Sequence, residues 1–374
     1  PRGPVMVSIP MDDWDVEKDA SQAAHVLARK VTGRAVADPA RVEELVAALA
    51  GAKNPVMVAG PDIDASGAWD DAIALAENLN LPVWASPAPG GGRIGFPESH
   101  RNYRGVLPPA IGPVGETLRE YDLVLVVGSS VFPYYPYFPG EFLAEGTKLV
   151  AITSDPDEAA RAPMGDAIVA DVKLTLQALV AAAGTNDREP PSELPEAPEM
   201  EISDPLSPST VCRILNEKLP DDAIIVLESP SSTMSLRNQL RISKPNSYFF
   251  GAGGGLGFGL SAAIGIQIAE PDRQVVCVIG EGSLQYAVAA FWTAVAYKVP
   301  VTFLVMRNEE YAILKWFADI ENVPNSPGLD LPALESADIA AGYGLVTAKA
   351  NSVNDVSAAI EEALADDMPR LVEV

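Results

Sequence analysis

The residues whose types and positions most clearly indicate a chemical role are Glu281 and Asn308. They follow two apolar runs near the C-terminal end of the chain. Residues 275–279, rich in β-branched side chains, predict a strand buried on both faces of a parallel sheet, and residues 301–306 predict a second such strand. Because open α/β folds hold ligands at the carboxyl ends of their strands, the carboxylate and the amide are expected to converge there. Oxygen ligands of this kind suit Mg²⁺.

The segment between these two strands predicts a tight glycine turn, residues 280–283, followed by a helix over residues 284–297. The whole stretch is therefore a βαβ unit with a right-handed crossover. An ordinary unit of this kind with no ligand is the alternative, because short glycine motifs are common.

A hydroxyl-rich turn is the second candidate site. The predicted strand 223–227 runs into residues 228–233, which include Ser231 and Ser232, and a helix follows. Backbone N–H groups at a helix start, with serine hydroxyls beside them, can bind phosphate. Simple N-capping by serine is the competing interpretation.

Residues 251–259 contain six glycines and lead into a helix predicted over residues 261–269. Glycines let the backbone approach a ligand closely, and Leu256, the bulky residue in the middle, would then press against that ligand. Tight packing of the helix on the sheet would explain two or three of these glycines.

Composition limits the class of protein. A length of 374 residues predicts two domains with a fragment of a third. The formal charge of −25 argues against a nucleic-acid or anionic-membrane surface, since both need clustered cations. Cys212 and Cys277 lack metal-ligand spacing, and no run of transmembrane length or signal peptide is visible, so we expect a cytoplasmic location.

The alternation of strand and helix patterns predicts an α/β protein with two doubly wound parallel-sheet domains and a remnant strand of a third domain. Residues 1–14, with a strand over 4–10, are expected to be the end of a domain whose beginning is absent. The two full domains are expected over 35–183, the central domain, and 206–374, the last domain. Two linkers, a polar one over 15–34 and a second over 184–205, are expected to precede them. Residues 87–109, rich in Gly and Pro, predict a loop.

Residues 129–140 concentrate aromatic side chains in what is predicted to be another loop. They are Phe132, Tyr134, Tyr135, Tyr137 and Phe138. Burial at a subunit or domain interface and a wall of a substrate pocket both explain such a loop.

Glu281 between Gly280 and Gly282, followed after a spacer by Arg307 and Asn308, resembles the metal–diphosphate signature of thiamine-diphosphate enzymes. That signature runs Gly-Asp-Gly, spacer, Asn-Asn. Glu281 stands in place of its Asp, and Arg307 in place of its first Asn.

The wider chain resembles the benzoylformate decarboxylase branch of that family. The similar stretches are residues 4–14, the Pro-rich loop before Gly105, 160–171, 254–265, 289–297 and 314–318. The resemblance implies three α/β domains, thiamine diphosphate with Mg²⁺, and a homodimer or homotetramer with the cofactor bound across a subunit interface.

The same resemblance implies roles for individual residues. Glu281 and Asn308, with the backbone of Glu310, would hold Mg²⁺. The cofactor-binding residues would be Ser231, Ser232, Gly254, Gly255, Leu256, Gly280, Gly282 and Ser283. Leu256 would sit between the two rings of the cofactor, and Phe250, Ile313, Leu314 and Phe317 would line the substrate pocket.

The implied reaction is non-oxidative decarboxylation of a 2-keto acid, aromatic or branched, to an aldehyde. Tyr135 matches the position of a proton-transfer histidine in the family, and a phenol with an ordinary pKa near 10 is a poor replacement. Carboligation of the acetolactate synthase type and a weakly binding, non-catalytic relative are the alternatives. Because the cofactor-activating glutamate belongs to the first domain, we expect the present chain alone to be inactive.

Overall fold

The computed structural model describes residues 6–17, 20–30, 33–87, 92–131, 137–193, 203 and 206–374. They form two α/β units, each built on a six-stranded parallel sheet with helices between the strands. The predicted fold class of two parallel-sheet domains is confirmed.

The first unit has the strand order β3-β2-β1-β4-β5-β6. Its strands are β1 (Pro55–Ala59), β2 (Val83–Ala85), β3 (Tyr103–Val106), β4 (Leu123–Val127), β5 (Lys148–Thr153) and β6 (Asp166–Val169). The helices between the start of the described chain and the end of this unit are α1 (Ala20–Leu27), α2 (Pro39–Gly51), α3 (Pro61–Ala65), α4 (Trp69–Asn78), α5 (Ile111–Thr117), α6 (Pro156–Arg161) and α7 (Val172–Ala183). Every residue of β1 and β4 is buried, as expected for central strands covered on both faces.

The second unit has the strand order β11-β12-β10-β9-β7-β8. Its strands are β7 (Ile224–Glu228), β8 (Tyr248–Phe250), β9 (Val275–Gly280), β10 (Thr302–Met306), β11 (Val346–Lys349) and β12 (Arg370–Glu373). Its helices are α8 (Pro208–Lys218), α9 (Thr233–Gln239), α10 (Gly259–Ala269), α11 (Glu281–Leu284), α12 (Ala290–Ala296), α13 (Ala312–Ile320), α14 (Ser336–Tyr343) and α15 (Val353–Leu364). Short 3₁₀ turns occur at Met11–Asp15 and Pro230–Ser232.

Strand register brings the loops of the second sheet together. Strand β9 lies between β7 and β10, with Glu228 opposite Ile279 and Met306 opposite Gly280. The three strands are parallel, so the loops that follow them leave from the same edge, side by side.

Buried polar contacts join the two units. Glu98 of the first unit forms an ion pair with Arg237 of α9, and its second oxygen accepts the backbone N–H of Ile242 at 2.9 Å. Asp64 accepts the backbone N–H of Asn246 at 2.8 Å. Both carboxylates are buried, so these bonds fix how the units meet.

Two local predictions were wrong. Residues 6–10, the described part of the strand expected over 4–10, have no regular secondary structure, because no strand among the described residues lies beside them to pair. Strand β3 lies inside the loop expected over 87–109. The expected linker over 15–34 stays a prediction, and the structure places α1 within it.

The helix expected over 284–297 is interrupted between α11 and α12. The backbone N–H groups of Tyr286 and Ala287 donate to the carbonyls three residues earlier, both at 3.2 Å, so the chain follows tighter turns there. Apolar side chains favour helix and tight turns alike, which is why the pattern did not reveal the break.

Among the helices that the structure describes, none combines the length and the apolar character needed to cross a membrane.

Candidate active site

Glu281 and Asn308 meet at the carboxyl edge of the second sheet, as predicted from their positions after β9 and β10. Glu281 is the first residue of α11 and is 2% exposed. Its Oε1 accepts the backbone N–H groups of Asn308 at 3.0 Å and Glu309 at 2.6 Å. These two bonds fix the carboxylate against the loop after β10.

The loop after β10 is shaped around the Asn308 amide. Asn308 Oδ1 accepts the backbone N–H of Glu310 at 3.2 Å, and Glu309 between them adopts a left-handed conformation with φ 60°. The Glu310 side chain forms an ion pair with Lys315. The Glu310 side chain is therefore engaged, and its backbone carbonyl is the group that remains for a ligand.

The donor set fits a hard cation. Glu281 Oε2 accepts no hydrogen bond from the part of the chain that the structure describes, and Asn308 supplies an amide oxygen from the adjoining loop. Mg²⁺ prefers a few protein oxygens of this kind, with phosphate and water completing the shell. No group of three or more His, Cys, Asp or Glu side chains able to hold a metal occurs among the described residues, so any metal here would need those further oxygens.

Arg307 points away from this pair and into a group of carboxylates. Its guanidinium lies 2.9 Å from Glu309, 3.2 Å from Glu335 and 3.3 Å from Glu373. Glu373 is buried and also accepts the backbone N–H of Ala337 at 3.0 Å. Arg307 thus ties the loop after β10 to β12 and to the start of α14.

The serine turn lies next to the β9 loop. Pro230–Ser232 forms the 3₁₀ turn after β7, with Ser231 exposed and Ser232 buried. A Cβ placed on Gly280 would lie 3.9 Å from Ser229 Oγ and 3.8 Å from Ser283 Oγ. Hydroxyls from both loops therefore border Gly280.

The glycine run divides into two groups with different surroundings. A Cβ on Gly253, Gly254 or Gly255 would meet no described atom within 4 Å. On Gly257 it would lie 3.2 Å from Tyr286 Cβ, and on Gly259 it would lie 2.7 Å from Glu228 Oε2. Packing explains the second group, whereas the first faces open space, which suits close approach of a ligand.

A small open cleft lies between the end of β7 and the glycine run. It encloses about 210 Å³ of empty space, including solvent at its mouth. Its lining consists of Leu227, Glu228, Pro230, Phe250, Gly251, Gly254, Gly255 and Leu256. The cleft thus brings together four of the residues that the sequence predicts to bind cofactor or substrate: Phe250, Gly254, Gly255 and Leu256.

Gly282 has a packing reason to be glycine. A Cβ there would lie 2.5 Å from Tyr311 Cε1 and 2.8 Å from Leu331 Cδ1. Burial, and then a hydrogen bond with Tyr286, raise the pKa of the Tyr311 phenol. The two tyrosines therefore join the glycine run, through Gly257, to the loop after β10.

The remaining pocket candidates lie on α13, which packs against the Pro230–Ser232 turn. Ile313 and Phe317 are half-buried, and the Phe317 ring contacts Trp316 with centroids 4.8 Å apart. Leu314 is 45% exposed, so in this chain it faces solvent rather than a closed pocket. Phe250, by contrast, is buried at the cleft.

Tyr135, with Phe132 and Tyr134 of the same aromatic loop, lies outside the described residues. Tyr137 and Phe138 of that loop are exposed, at 68% and 38%. The proposed exchange of a histidine for Tyr135 therefore stays a prediction from the sequence.

Sequence reasoning missed Glu228, the last residue of β7. Its carboxylate is 4% exposed and accepts three backbone N–H groups, from Gly257, Phe258 and Gly259. The available signal was a carboxylate at the carboxyl end of a buried strand, directly before the serine turn.

Two family models match the chain. Residues 42–179 match the thiamine pyrophosphate enzyme central domain, and residues 230–374 match the thiamine pyrophosphate enzyme C-terminal TPP binding domain. The second match includes Glu281, Asn308 and the glycine run.

Relatives with known names agree with these matches. The chain is 45% identical to a benzoylformate decarboxylase of Pseudomonas aeruginosa over 375 residues, which cover 100% of this chain and 70% of that protein. Among solved structures, the thiamine diphosphate-dependent 4-hydroxybenzoylformate decarboxylase of Rhodococcus jostii RHA1 superposes with a TM-score of 0.95 at 42% identity, covering 100% of this chain and 70% of that one. The benzoylformate decarboxylase of Polynucleobacter necessarius gives a TM-score of 0.93 at 37% identity with the same coverage.

The fold, the edge site and these similarities together show that the chain belongs to the thiamine pyrophosphate enzyme family and is closely related to its benzoylformate decarboxylases.

Proposed function

We propose that the protein catalyses the non-oxidative decarboxylation of an aromatic 2-keto acid to an aldehyde, with thiamine diphosphate and Mg²⁺. The observation that carries the proposal is the meeting of three groups at one sheet edge: the oxygen pair of Glu281 and Asn308, the hydroxyls beside Gly280, and the open glycines 253–255. The 45% identity to a protein named benzoylformate decarboxylase supports the substrate class.

In this proposal Glu281, Asn308 and the Glu310 carbonyl hold Mg²⁺, and Ser231, Ser232 and Ser283 bind the diphosphate. Supporting observations are the fixed orientation of the Glu281 carboxylate and the Ser229 and Ser283 hydroxyls that lie beside Gly280. Bound there, thiamine diphosphate would supply a nucleophilic carbon and an electron sink for the electron pair that CO₂ leaves behind when the carbon–carbon bond breaks.

Leu256 is proposed to support the cofactor between its rings, because it lies at the cleft after three unhindered glycines. Phe250, Ile313, Leu314 and Phe317 are proposed to contact the substrate. Apolar walls exclude water, and loss of a carboxylate as CO₂ is favoured where water is excluded. Proton transfer would involve Tyr135 or a group that substitutes for it.

The proposed partner is a second copy of the protein, in a homodimer or homotetramer. Support comes from the exposed aromatic face of α12, where Trp292 is 60% exposed and the adjoining Tyr297 is 69% exposed. We also propose a cytoplasmic location, since Cys212 and Cys277 are free thiols and both are buried.

Product analysis tests the proposed reaction. The full-length protein, with thiamine diphosphate and Mg²⁺, is incubated separately with benzoylformate, 4-hydroxybenzoylformate and pyruvate. The proposal predicts the aromatic aldehyde as the main product and little turnover of pyruvate. Acetolactate from pyruvate without aldehyde from the aromatic acids would instead indicate carboligation.

A further inference from the structure

Glu228 is a buried carboxylate without a cationic partner among the described residues. It ends β7, lies opposite Ile279 of β9 and is 4% exposed. Burying an isolated carboxylate is costly unless hydrogen bonds satisfy it, so its partners explain why it is there.

The partners are three successive backbone N–H groups. Oε1 accepts from Gly257 and, at 3.1 Å, from Phe258, while Oε2 accepts from Gly259 at 2.6 Å. Burial raises the pKa of the Glu228 carboxyl, and the three donors work against that rise. Both oxygens are needed because the three donors approach from the two sides of the carboxylate.

These N–H groups belong to the start of α10, which lacks an ordinary cap. The N-cap residue is Phe258, whose side chain makes no capping bond. Glu228 supplies the missing acceptor from a different strand, and its charge complements the positive end of the helix dipole. Gly259 leaves space for the carboxylate, since a Cβ there would lie 2.7 Å from Oε2.

The residues before this anchor have few other restraints. Gly254 donates its N–H to the Gly251 carbonyl at 2.8 Å, and glycines 253–255 have no described neighbour for a Cβ. Leu256 directly precedes the residues that Glu228 binds. The position of Leu256 across the cleft from Pro230 therefore depends on the anchor that follows it.

We infer that Glu228 is a positioning residue, which fixes residues 257–259 and thereby holds Leu256 and glycines 253–255 in place at the cleft that Pro230 and Phe250 also line, where the cofactor rings would bind. The inference deepens the proposed function and rests on it. It assigns Glu228 to the ring end of the cofactor rather than to the diphosphate end, where Glu281 and Asn308 lie.

The test uses Glu228→Gln in the full-length protein. Glutamine keeps the size but offers one accepting oxygen, so its amide group must face an N–H donor. The control is Asp64→Asn, which removes another buried carboxylate that lies away from the cleft. Asp64 accepts a backbone N–H from Asn246 and also pairs with Arg93 at 3.0 Å. Three quantities are measured: amide hydrogen exchange at residues 257–259, thermal unfolding, and calorimetric affinity for thiamine diphosphate and for inorganic pyrophosphate, each with Mg²⁺.

For Glu228→Gln we expect faster exchange at residues 257–259, at least tenfold weaker binding of thiamine diphosphate, and pyrophosphate binding within twofold of wild type. Asp64→Asn should lower the unfolding temperature but leave the affinity for thiamine diphosphate within twofold. If the Gln variant fails to fold, Glu228→Asp takes its place, since it keeps the charge but is one methylene shorter. It should show the same changes in amide exchange and in cofactor affinity, each of smaller magnitude.

Unchanged exchange or unchanged cofactor affinity in the folded Glu228 variant would overturn the inference. Equal weakening of thiamine diphosphate and pyrophosphate binding would also overturn it, because that result assigns Glu228 to the diphosphate end or to general stability. Failure of the wild-type protein to bind thiamine diphosphate at all is a separate outcome, which overturns the proposed function itself.

Discussion

Glu281 and Asn308 are held together across two neighbouring strands, with Glu281 Oε1 lying 3.0 Å from the backbone nitrogen of Asn308. The contact is made between the loop after β9 and the loop after β10. It brings a carboxylate and an amide oxygen to one edge of the sheet, although neither is near the other in sequence.

The length of the Glu281 side chain gives the first prediction. Glutamate extends one methylene beyond aspartate, and Mg²⁺ requires near-octahedral geometry, so the metal site should be imperfect. Glu281→Asp should tighten the binding of thiamine diphosphate with Mg²⁺ by roughly tenfold, the usual scale of such adjustments around a metal. Calorimetry measures this affinity, with Glu281→Gln as a control that should weaken it. Unchanged or weaker binding by the Asp variant would contradict the argument.

Arg307 gives a prediction about stability. Its partner Glu373 is buried, so Arg307→Asn would leave a carboxylate without its cation and should lower the free energy of unfolding by about 2 kcal/mol. Urea titration measures the loss. Adding Glu373→Gln should recover part of it, because the buried charge is removed. A midpoint equal to that of wild type in Arg307→Asn would show that the ion-pair group contributes nothing.

Tyr135 gives a prediction about turnover. The resemblance to the family implies a proton-transfer histidine at this position, and a phenol with a pKa near 10 transfers protons poorly at neutral pH. Tyr135→His should raise kcat for an aromatic 2-keto acid, and Tyr135→Phe should change it little. Steady-state kinetics with benzoylformate decides the matter. A large loss in Tyr135→Phe would show that the hydroxyl itself takes part.

Asp171 gives a prediction about pH. It caps α7 through the Leu174 N–H at 3.0 Å, and it binds Arg34 through both oxygens. The hydrogen bond from Arg34 lowers the pKa of Asp171, so the ion pair stabilises the fold above about pH 4 and is lost as pH falls through the lowered pKa. Asp171→Asn, which keeps a cap, should cost less than about 1 kcal/mol at neutral pH, and Asp171→Ala should cost about 1–2 kcal/mol.

Urea unfolding at several pH values measures both Asp171 variants. The difference between wild type and Asp171→Asn should disappear in strong acid, where the carboxyl is protonated in both the folded and the unfolded state. A difference that persists there would mean that packing, and not the ion pair with Arg34, accounts for it.

Periodicity predicted the buried strands well because their signal is local. Strands β7, β9 and β10 are nearly continuous apolar runs, and the structure places each within a residue or two of the expected bounds. Edge strands carry a weaker signal. In β3 only Tyr103 is buried and Gly105 interrupts the pattern, so the segment was mistaken for loop.

The site was predictable where it depends on strand ends. The convergence of Glu281 and Asn308 follows from their places after two parallel strands. The anchoring by Glu228 was not predictable, because its three donors lie about thirty residues further along the chain and approach it only when β8, which precedes them, pairs with β7. No local pattern around Glu228 reveals that contact.

The release of CO₂ from benzoylformate by the full-length protein tests the central claim most directly. With thiamine diphosphate and Mg²⁺, we expect CO₂ and benzaldehyde in equal amounts, with both lost when the metal is removed by a chelator and restored when Mg²⁺ is returned. Absence of CO₂ under conditions where the protein binds the cofactor, or release that does not depend on the cofactor, would contradict the account.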